Sequence, residues 1–170
     1  AEGWNYSSGN NITRISKRDV LIADDFKKYI SNTNSDLTED EVLQIYDNVR
    51  LVGAESDFAT LHKVYGWMVD GVQFIPHNGT PKMIPLIDFK EPDNNVFRVV
   101  NQFVVEYTNT GQKENRRPDV LLFVNGMPLC VIELKNPADA RATVFDAWEQ
   151  IIIRYWRDIP HLLHYCPLAC

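Results

Sequence analysis

The chain has 170 residues, of which 45% are hydrophobic and 24% charged, as is typical of a globular protein with one domain over residues 1–170. Its apolar runs are far shorter than the roughly 20 residues that cross a bilayer, which excludes a membrane-spanning helix, and we expect no membrane partner. The net charge of −6 is unlike that of a stand-alone DNA-binding protein, so a nucleic-acid role would require a local basic patch or a larger assembly.

The three cysteines indicate reduced thiols, because their number is odd and no CxxC pair occurs: Cys130, Cys166 and Cys170. We therefore expect a cytoplasmic protein. The four scattered histidines give no Cys/His spacing for zinc. The chain opens at Ala1 without an initiator methionine or a signal peptide, so we expect it to be a fragment of a longer polypeptide.

The first half of the chain predicts helices. Residues 1–18 are rich in Ser, Asn and Gly, and we expect them to be irregular. The segment RDVLIADDFKKYI then has apolar residues at roughly helical spacing. Thr38 and Glu41 form a capping-box pattern that predicts a helix over residues 39–49. A third helix should end near Gly71, with an apolar stripe of Phe58, Leu61, Tyr65 and Met68.

The second half predicts a sheet. Residues 83–89 and 96–107 are rich in β-branched and aromatic residues, which indicates two strands. The polar segment TNTGQKENRR connects them to an apolar hairpin, RPDVLLFVNGMPLCVIELKNP. Asn136-Pro137 then predicts the start of a helix that Pro160 helps to end. This order favours an α/β or mixed α+β fold, with helices packed on a central mixed sheet.

Three ionisable side chains interrupt the hairpin: Asp119 at its start, and Glu133 and Lys135 near its end. Residues two apart on a strand share a face, so Glu133 and Lys135 point the same way. Two carboxylates suit Mg²⁺, and a nearby lysine can stabilise a phosphate or position the attacking water. The pattern thus favours metal-assisted phosphodiester hydrolysis. The alternative is a solvated strand end at which Glu133 and Lys135 pair with each other.

A shared metal site requires a particular register. Asn125-Gly126 favours a two-residue type I′ turn, which would place Asp119 opposite Ile132 and on the other face from Glu133. The two carboxylates can share a face only if the loop has an odd length or one strand contains a bulge. We predict one of these two departures from a regular hairpin.

The sequence RRPDVLLFVNGMPLCVIELKNP resembles the nuclease signature of the R subunit of type I restriction enzymes, in the PD-(D/E)xK nuclease superfamily. Other segments resemble this family in the same order: GWNY, GVQF, IPLIDF, NNVFRVVNQF and AWEQIIIRYWRDIP. The resemblance implies a restriction-endonuclease-like core that cleaves double-stranded DNA with Mg²⁺. It implies that Asp119, Glu133 and the main-chain carbonyl of Leu134 bind the metal, and that Lys135 completes the catalytic set.

Related nucleases carry a Gln-x-x-x-Tyr motif on the helix after the sheet. The nearest match here is Gln150 and Tyr155, with four residues between them instead of three. On an α-helix, position i+5 is rotated a further ~100° from i+4. Tyr155 is therefore expected either to support the site together with Gln150 or to be a half-buried core aromatic.

Several charged residues near the motif allow two interpretations. Arg116 and Arg117 are candidates for DNA phosphate contacts, and the alternative is a solvated loop. Asp88 and Glu106 end strands, and the sequence leaves their role open. The same alternatives apply to the basic residues of the last helix, Arg141, Arg154 and Arg157.

Two functions fit these observations. In the first, the chain is an endonuclease domain whose longer polypeptide carries an ATP-driven motor and joins methyltransferase (M) and specificity (S) subunits, as the resemblance implies. ATP would serve only that motor, because the phosphate loop G-x-x-x-x-G-K-[ST] is absent here. In the second, the chain is a catalytically idle module that docks DNA or partner subunits. The presence of Asp119, Glu133 and Lys135 favours the endonuclease, and an RNA-directed nuclease is a more remote third alternative.

Overall fold

The computed structural model describes residues 3–52, 56–134 and 143–170, except for the side chain of Val144. The helices are α1 (Ala23–Thr33), α2 (Glu39–Arg50), α3 (Asp57–Asp70), α4 (Val144–Glu149), α5 (Trp156–Asp158) and α6 (Pro160–Leu163), and a π-helical segment (Gln150–Tyr155) joins α4 to α5. The strands are β1 (Trp4–Ser8), β2 (Val72–Phe74), β3 (Lys82–Ile84), β4 (Phe97–Asn101), β5 (Val105–Asn109), β6 (Gln112–Arg116), β7 (Val120–Val124), β8 (Met127–Ile132) and β9 (Leu168–Ala169).

The described part of the chain forms a central mixed sheet of five strands in the order β1-β4-β7-β8-β9. Strand β1 runs parallel to β4, and β9 runs parallel to β8. The pairs β4-β7 and β7-β8 are antiparallel. Two further antiparallel pairs, β2-β3 and β5-β6, lie outside this sheet. The predicted mixed α+β fold with a central mixed sheet is confirmed.

One hydrophobic cluster joins the helices to the sheet. Phe26 of α1, Ile45 of α2, Leu121 and Phe123 of β7 are fully buried in it, and Ile151 of the π-helical segment is nearly so. Burial of each such side chain contributes roughly 1.5–3 kcal/mol to stability. Helical elements from both ends of the sequence therefore pack with the sheet in one core. None of the described helices is long and apolar enough to cross a membrane.

Helix α2 begins at the predicted capping box. The Thr38 hydroxyl accepts a hydrogen bond from the Glu41 amide at 3.3 Å, and the Glu41 carboxylate accepts one from the Thr38 amide at 2.8 Å. The buried Glu41 carboxylate also accepts from the main-chain amide of His77 at 2.8 Å. These hydrogen bonds, from Thr38 first and then His77, lower the pKa of Glu41 to about 2. One carboxylate thus caps α2 and fixes the loop after β2.

The predictions for the first and third segments are partly wrong. Residues 4–8, expected to be irregular, form the edge strand β1, which pairs with the apolar strand β4. Helix α3 ends before Gly71 as predicted, but the stripe is misplaced. Phe58 and Tyr65 are exposed, because the buried face of α3 runs along Thr60, Val64 and Met68.

The predicted strands are shorter than expected. Where a strand over 83–89 was predicted, only Met83 and Ile84 lie in a strand, the short β3 (Lys82–Ile84). The segment 96–107 divides into β4 and β5 at Gln102, whose φ of 55° is left-handed. Gly9 packs against this bend, and a Cβ there would lie 2.5 Å from the Gln102 carbonyl oxygen. Strand β4 therefore ends at this bend, and β5 leaves the central sheet.

The polar segment TNTGQKENRR is a turn followed by strand β6, and not merely a connection. Thr110 and Gly111 have φ values of 46° and 83°, as a type I′ hairpin turn requires. The predicted helix start at Asn136-Pro137 lies outside the described residues. The helix is described from Val144, where Thr143 caps it by accepting from the Asp146 amide.

Candidate active site

The hairpin β7-β8 contains the predicted bulge. Asn125 and Gly126 both have positive φ, 50° and 76°, so the connection is the regular two-residue turn and not an odd loop. Leu129 is the extra residue of β8, beside Pro128, which has no N–H to donate to the ladder. Counted from the turn, the pairs are Val124 with Met127, Phe123 with Pro128, Leu122 with Cys130, Leu121 with Val131 and Val120 with Ile132.

The bulge brings Asp119 and Glu133 to one place. The register continued by one position sets Asp119 opposite Glu133, and opposed residues share a face with Cβ atoms about 4.5–5.5 Å apart. The Leu134 amide donates a hydrogen bond to Asp119 Oδ2 at 2.9 Å, which ties the two strand ends together. The main chain of Asp119 is also fixed, because its carbonyl accepts from the Gln102 amide at 3.0 Å.

Glu133 is buried, with 7% of its surface exposed, and two neutral donors hold its carboxylate. The Gln150 side-chain amide donates to Oε2 at 2.6 Å, and the Tyr155 hydroxyl donates to Oε1 at 2.5 Å. The Gln150 amide also donates to the Tyr155 hydroxyl at 3.0 Å. A carboxylate bonded on both oxygens has one fixed orientation, which is what a preformed metal or catalytic site needs.

The π-helical segment explains how Tyr155 reaches Glu133. It spans Gln150–Tyr155, the residues whose five-position spacing would separate them on an α-helix. A π-helix pairs position i with i+5, so the additional residue is absorbed within the turn. Gln150 and Tyr155 therefore point to the same carboxylate, and Tyr155 both supports Glu133 and is buried in the core.

The pKa of Tyr155 is raised well above its ordinary value. Burial of the hydroxyl is the largest cause, and the hydrogen bond to Glu133 is the second. The negative charges of Glu133 and Asp119 also raise it. Both carboxylates thus act on one hydroxyl, which agrees with the register in placing them together. The hydroxyl stays protonated at neutral pH and remains a donor.

The other residues predicted for the site lie in different surroundings. Lys135 lies outside the described residues. Leu134 is described, and its amide bond to Asp119 puts its main chain beside both carboxylates. Arg116 donates from Nε to the buried Asp158 at 2.7 Å, so it is neither in a loop nor simply solvated. Arg117 is exposed.

Asp88 and Glu106, the two acids to which the sequence assigns no role, form hydrogen bonds with other residues. The Asp88 carboxylate accepts hydrogen bonds within its own turn, from the amides of Lys90 and Glu91 and the side chain of Asn94. The pKa of Asp88 is lowered, and the hydrogen bond from the Glu91 amide is the largest cause. Glu106 lies in β5, where its amide donates to the Lys17 carbonyl. None of these bonds joins either acid to Asp119 or Glu133.

Gln102 is a neighbour of the site that the sequence pattern does not single out. Its side-chain amide lies 3.4 Å from Asp119 Oδ1, and its main chain holds the Asp119 carbonyl. The only signal in the sequence is Gly9, the small residue that permits the Gln102 bend.

The donor chemistry of the site fits Mg²⁺. Two carboxylates and the main-chain carbonyl of Leu134 would offer oxygen donors, and Mg²⁺ usually takes one or two carboxylates together with waters and phosphate oxygens. The described residues contain no cluster of three or more His, Cys, Asp or Glu side chains that could hold a metal. A site made of Asp119, Glu133 and one main-chain carbonyl has only two such side chains, so it is not a cluster of that kind.

A family model described as the type I restriction enzyme R protein N terminus matches residues 1–170. The chain is 34% identical over 175 residues to a Methanocaldococcus jannaschii protein named "Putative type I restriction enzyme MjaIXP endonuclease subunit", which covers 98% of this chain and 16% of that protein. It is 32% identical over 162 residues to the type I restriction enzyme HindI endonuclease subunit of Haemophilus influenzae, covering 87% of this chain and 15% of that subunit. The chain therefore spans about one sixth of the length of these curated relatives.

Proposed function

Since the chain belongs to the family of type I restriction enzyme R protein N termini, we propose that it is a Mg²⁺-dependent endonuclease domain that hydrolyses phosphodiester bonds of double-stranded DNA. The observation that carries this proposal is the bulge in β8, which sets Asp119 opposite Glu133. Two carboxylates at one place repel each other, and a bound cation offsets that repulsion. The names of both relatives, which call them endonuclease subunits, support the same function.

Each residue of the site has a proposed role. Asp119, Glu133 and the Leu134 carbonyl would hold the metal. When bound, Mg²⁺ supplies positive charge against the phosphate oxygens and lowers the pKa of a coordinated water. Lys135 would position the attacking water or stabilise the charge that develops on the phosphate.

Gln150 and Tyr155 act through Glu133 and are positioning residues. Their hydrogen bonds occupy one lone pair on each Glu133 oxygen and fix the plane of the carboxylate. Because both donors are neutral, they orient Glu133 without cancelling its charge. Gln102 and the Leu134 amide do the same for Asp119. The carboxylates are therefore oriented before any substrate arrives.

The proposed partners of this domain follow from the greater length of its relatives. Because the relatives are about six times longer, we propose that ATP serves a motor in the remainder of the chain, and that M and S subunits join the complex. Delivery of DNA by such an assembly accounts for a nuclease domain whose own net charge is −6.

The test is DNA cleavage by the full-length R subunit assembled with its M and S subunits. Glu133→Gln and Lys135→Ala should each lower the cleavage rate at least ~100-fold, while ATP-driven translocation is unchanged. Glu106→Gln is the matched control, because it removes a nearby carboxylate that makes no described bond to the site. Cleavage at the wild-type rate by Glu133→Gln would leave the chain as an idle docking module.

A further inference from the structure

A cleft of about 540 Å³ opens beside the carboxylate site. Four of the described residues that line it are cations, Lys17, Arg116, Arg117 and Arg154, and none of its described lining residues is a carboxylate. The volume lies within the ~300–1,000 Å³ of pockets that hold small organic ligands, so a short stretch of a polymer backbone fits it.

Gln150 and Tyr155 connect this cleft to the site. Both side chains line the cleft, and both donate hydrogen bonds to Glu133. A ligand in the cleft is therefore separated from Glu133 by the thickness of one side chain. Gln150 and Tyr155 therefore lie between the cleft and the Glu133 carboxylate.

The four cations do not contribute equally to the positive charge of the cleft. Arg116 enters the cleft already paired with the buried Asp158, which offsets its charge. Lys17, Arg117 and Arg154 are exposed, and among the residues that the structure describes none of the three forms an ion pair. The affinity of the cleft for anions thus depends on these three side chains.

The clustering needs an explanation, because like charges around one cleft repel each other. It does not follow from a basic composition, since the chain has 23 acidic and 17 basic residues. It does not follow from sequence proximity either, because Lys17 and Arg154 come from opposite ends of the chain. An anion bound between the three cations would remove the repulsion.

We propose that Lys17, Arg117 and Arg154 bind the DNA sugar–phosphate backbone, at phosphates next to the one that is cleaved. The inference rests on the proposed function, because it takes the scissile phosphate to lie at Asp119 and Glu133. Lysine and arginine side chains bind backbone phosphates without regard to base sequence. The cleft would therefore align DNA for cleavage at any sequence, and would leave recognition to another subunit.

The test is binding of a fluorescein-labelled 20-base-pair duplex to the 170-residue chain, measured by anisotropy in EDTA over a range of salt concentrations. Lys17→Ala, Arg117→Ala and Arg154→Ala should each weaken binding about three- to tenfold, and the triple variant should lower the slope of log Kd against log salt by about 2–3. Arg18→Ala is the matched control, since Arg18 is exposed, adjacent to Lys17, and does not line the cleft. It should bind like the wild type.

Because all three residues are exposed, the variants should keep the wild-type circular dichroism spectrum and unfolding midpoint. Arg154→Glu gives a second check, and should weaken binding more than Arg154→Ala. Wild-type affinity and salt slope in the triple variant, or no binding by the wild-type chain at low salt, would overturn the inference. EDTA prevents cleavage, so this result is independent of the nuclease proposal. If the cleft variants weaken binding while Glu133→Gln still cuts in the assembled enzyme, the cleft stands and the proposed function falls.

Discussion

The side-chain amide of Gln150 donates a hydrogen bond to the hydroxyl of Tyr155 at 3.0 Å, although the two residues are five positions apart on one helix. The π-helical turn between them makes this contact possible, since it brings positions i and i+5 together. Gln150 and Tyr155 therefore both donate to the carboxylate of Glu133, although their spacing departs from the Gln-x-x-x-Tyr pattern.

Deletion of Ile153 should convert the π-helical turn into a regular α-helix and leave Gln150 and Tyr155 on one face, as i and i+4. Ile153 is half exposed, so few core contacts are lost. We expect the free energy of unfolding in urea to change by no more than about 1 kcal/mol.

The control is deletion of Lys63 from the regular helix α3. This deletion rotates the part of the helix that follows it by about 100° relative to the part that precedes it. The buried Val64 and Met68 then move off the core, at a cost of about 3 kcal/mol or more. Equal destabilisation by the two deletions would show that Ile153 is not the additional residue of a π-helical insertion.

Tyr155→Phe should lower both the stability of the chain and its affinity for a divalent cation. The lost hydrogen bond to a carboxylate costs about 1.5–3 kcal/mol of unfolding free energy, and loss of a residue that orients a metal ligand weakens metal binding about tenfold or more. Urea denaturation and Mn²⁺ titration measure the two effects.

Tyr165→Phe is the matched control, because the Tyr165 hydroxyl is also buried but donates to the main-chain carbonyl of Val49. It should lower stability while leaving Mn²⁺ affinity unchanged. A Tyr155→Phe variant with wild-type metal affinity would mean that Tyr155 is only a core residue.

Gly126→Ala should be strongly destabilising, by about 3 kcal/mol or more. Gly126 has a φ of 76°, and a Cβ there would lie 2.2 Å from the carbonyl oxygen of Ile22. Gly111→Ala separates the two causes, because Gly111 also has positive φ but has open space around it. Thermal unfolding should show a loss of about 1 kcal/mol for Gly111→Ala. Equal losses would mean that the turn does not pack tightly on α1.

Glu41 should make the stability depend on pH below neutrality. Its folded pKa of about 2 lies below the value of about 4.3 in the unfolded chain, so its stabilisation is present above pH ~5 and is lost as the pH falls towards 2. Glu41→Gln should therefore show a shallower loss of unfolding free energy between pH 5 and 2 than the wild type. A loss as steep in Glu41→Gln as in the wild type would contradict this role of Glu41.

The sequence predicts local features well where one short pattern decides the structure. The capping box at Thr38 and Glu41, the turn at Asn125-Gly126 and the need for a bulge each follow from a few neighbouring residues. Strand β1 is missed because WNYSS is polar and mostly exposed, and becomes a strand only by pairing with β4.

The rest of the site depends on tertiary contacts. An α-helical spacing rule separates Gln150 from Tyr155, and only the contact with Glu133 shows that a π-helical turn absorbs the extra residue. Lys17 and Arg154 are 137 positions apart in the sequence, so no local pattern reveals that they line one cleft.

The most direct test of the shared site is calorimetric titration of Mn²⁺ into the wild-type chain and into Asp119→Ala and Glu133→Ala. Mn²⁺ takes the same kind of oxygen ligands as Mg²⁺. We predict that the wild type binds the ion and that the binding heat disappears in both variants, because each removes one of two carboxylates that the bulge sets on one face. Undiminished binding by either variant, or no binding by the wild type, would contradict a metal site shared by Asp119 and Glu133.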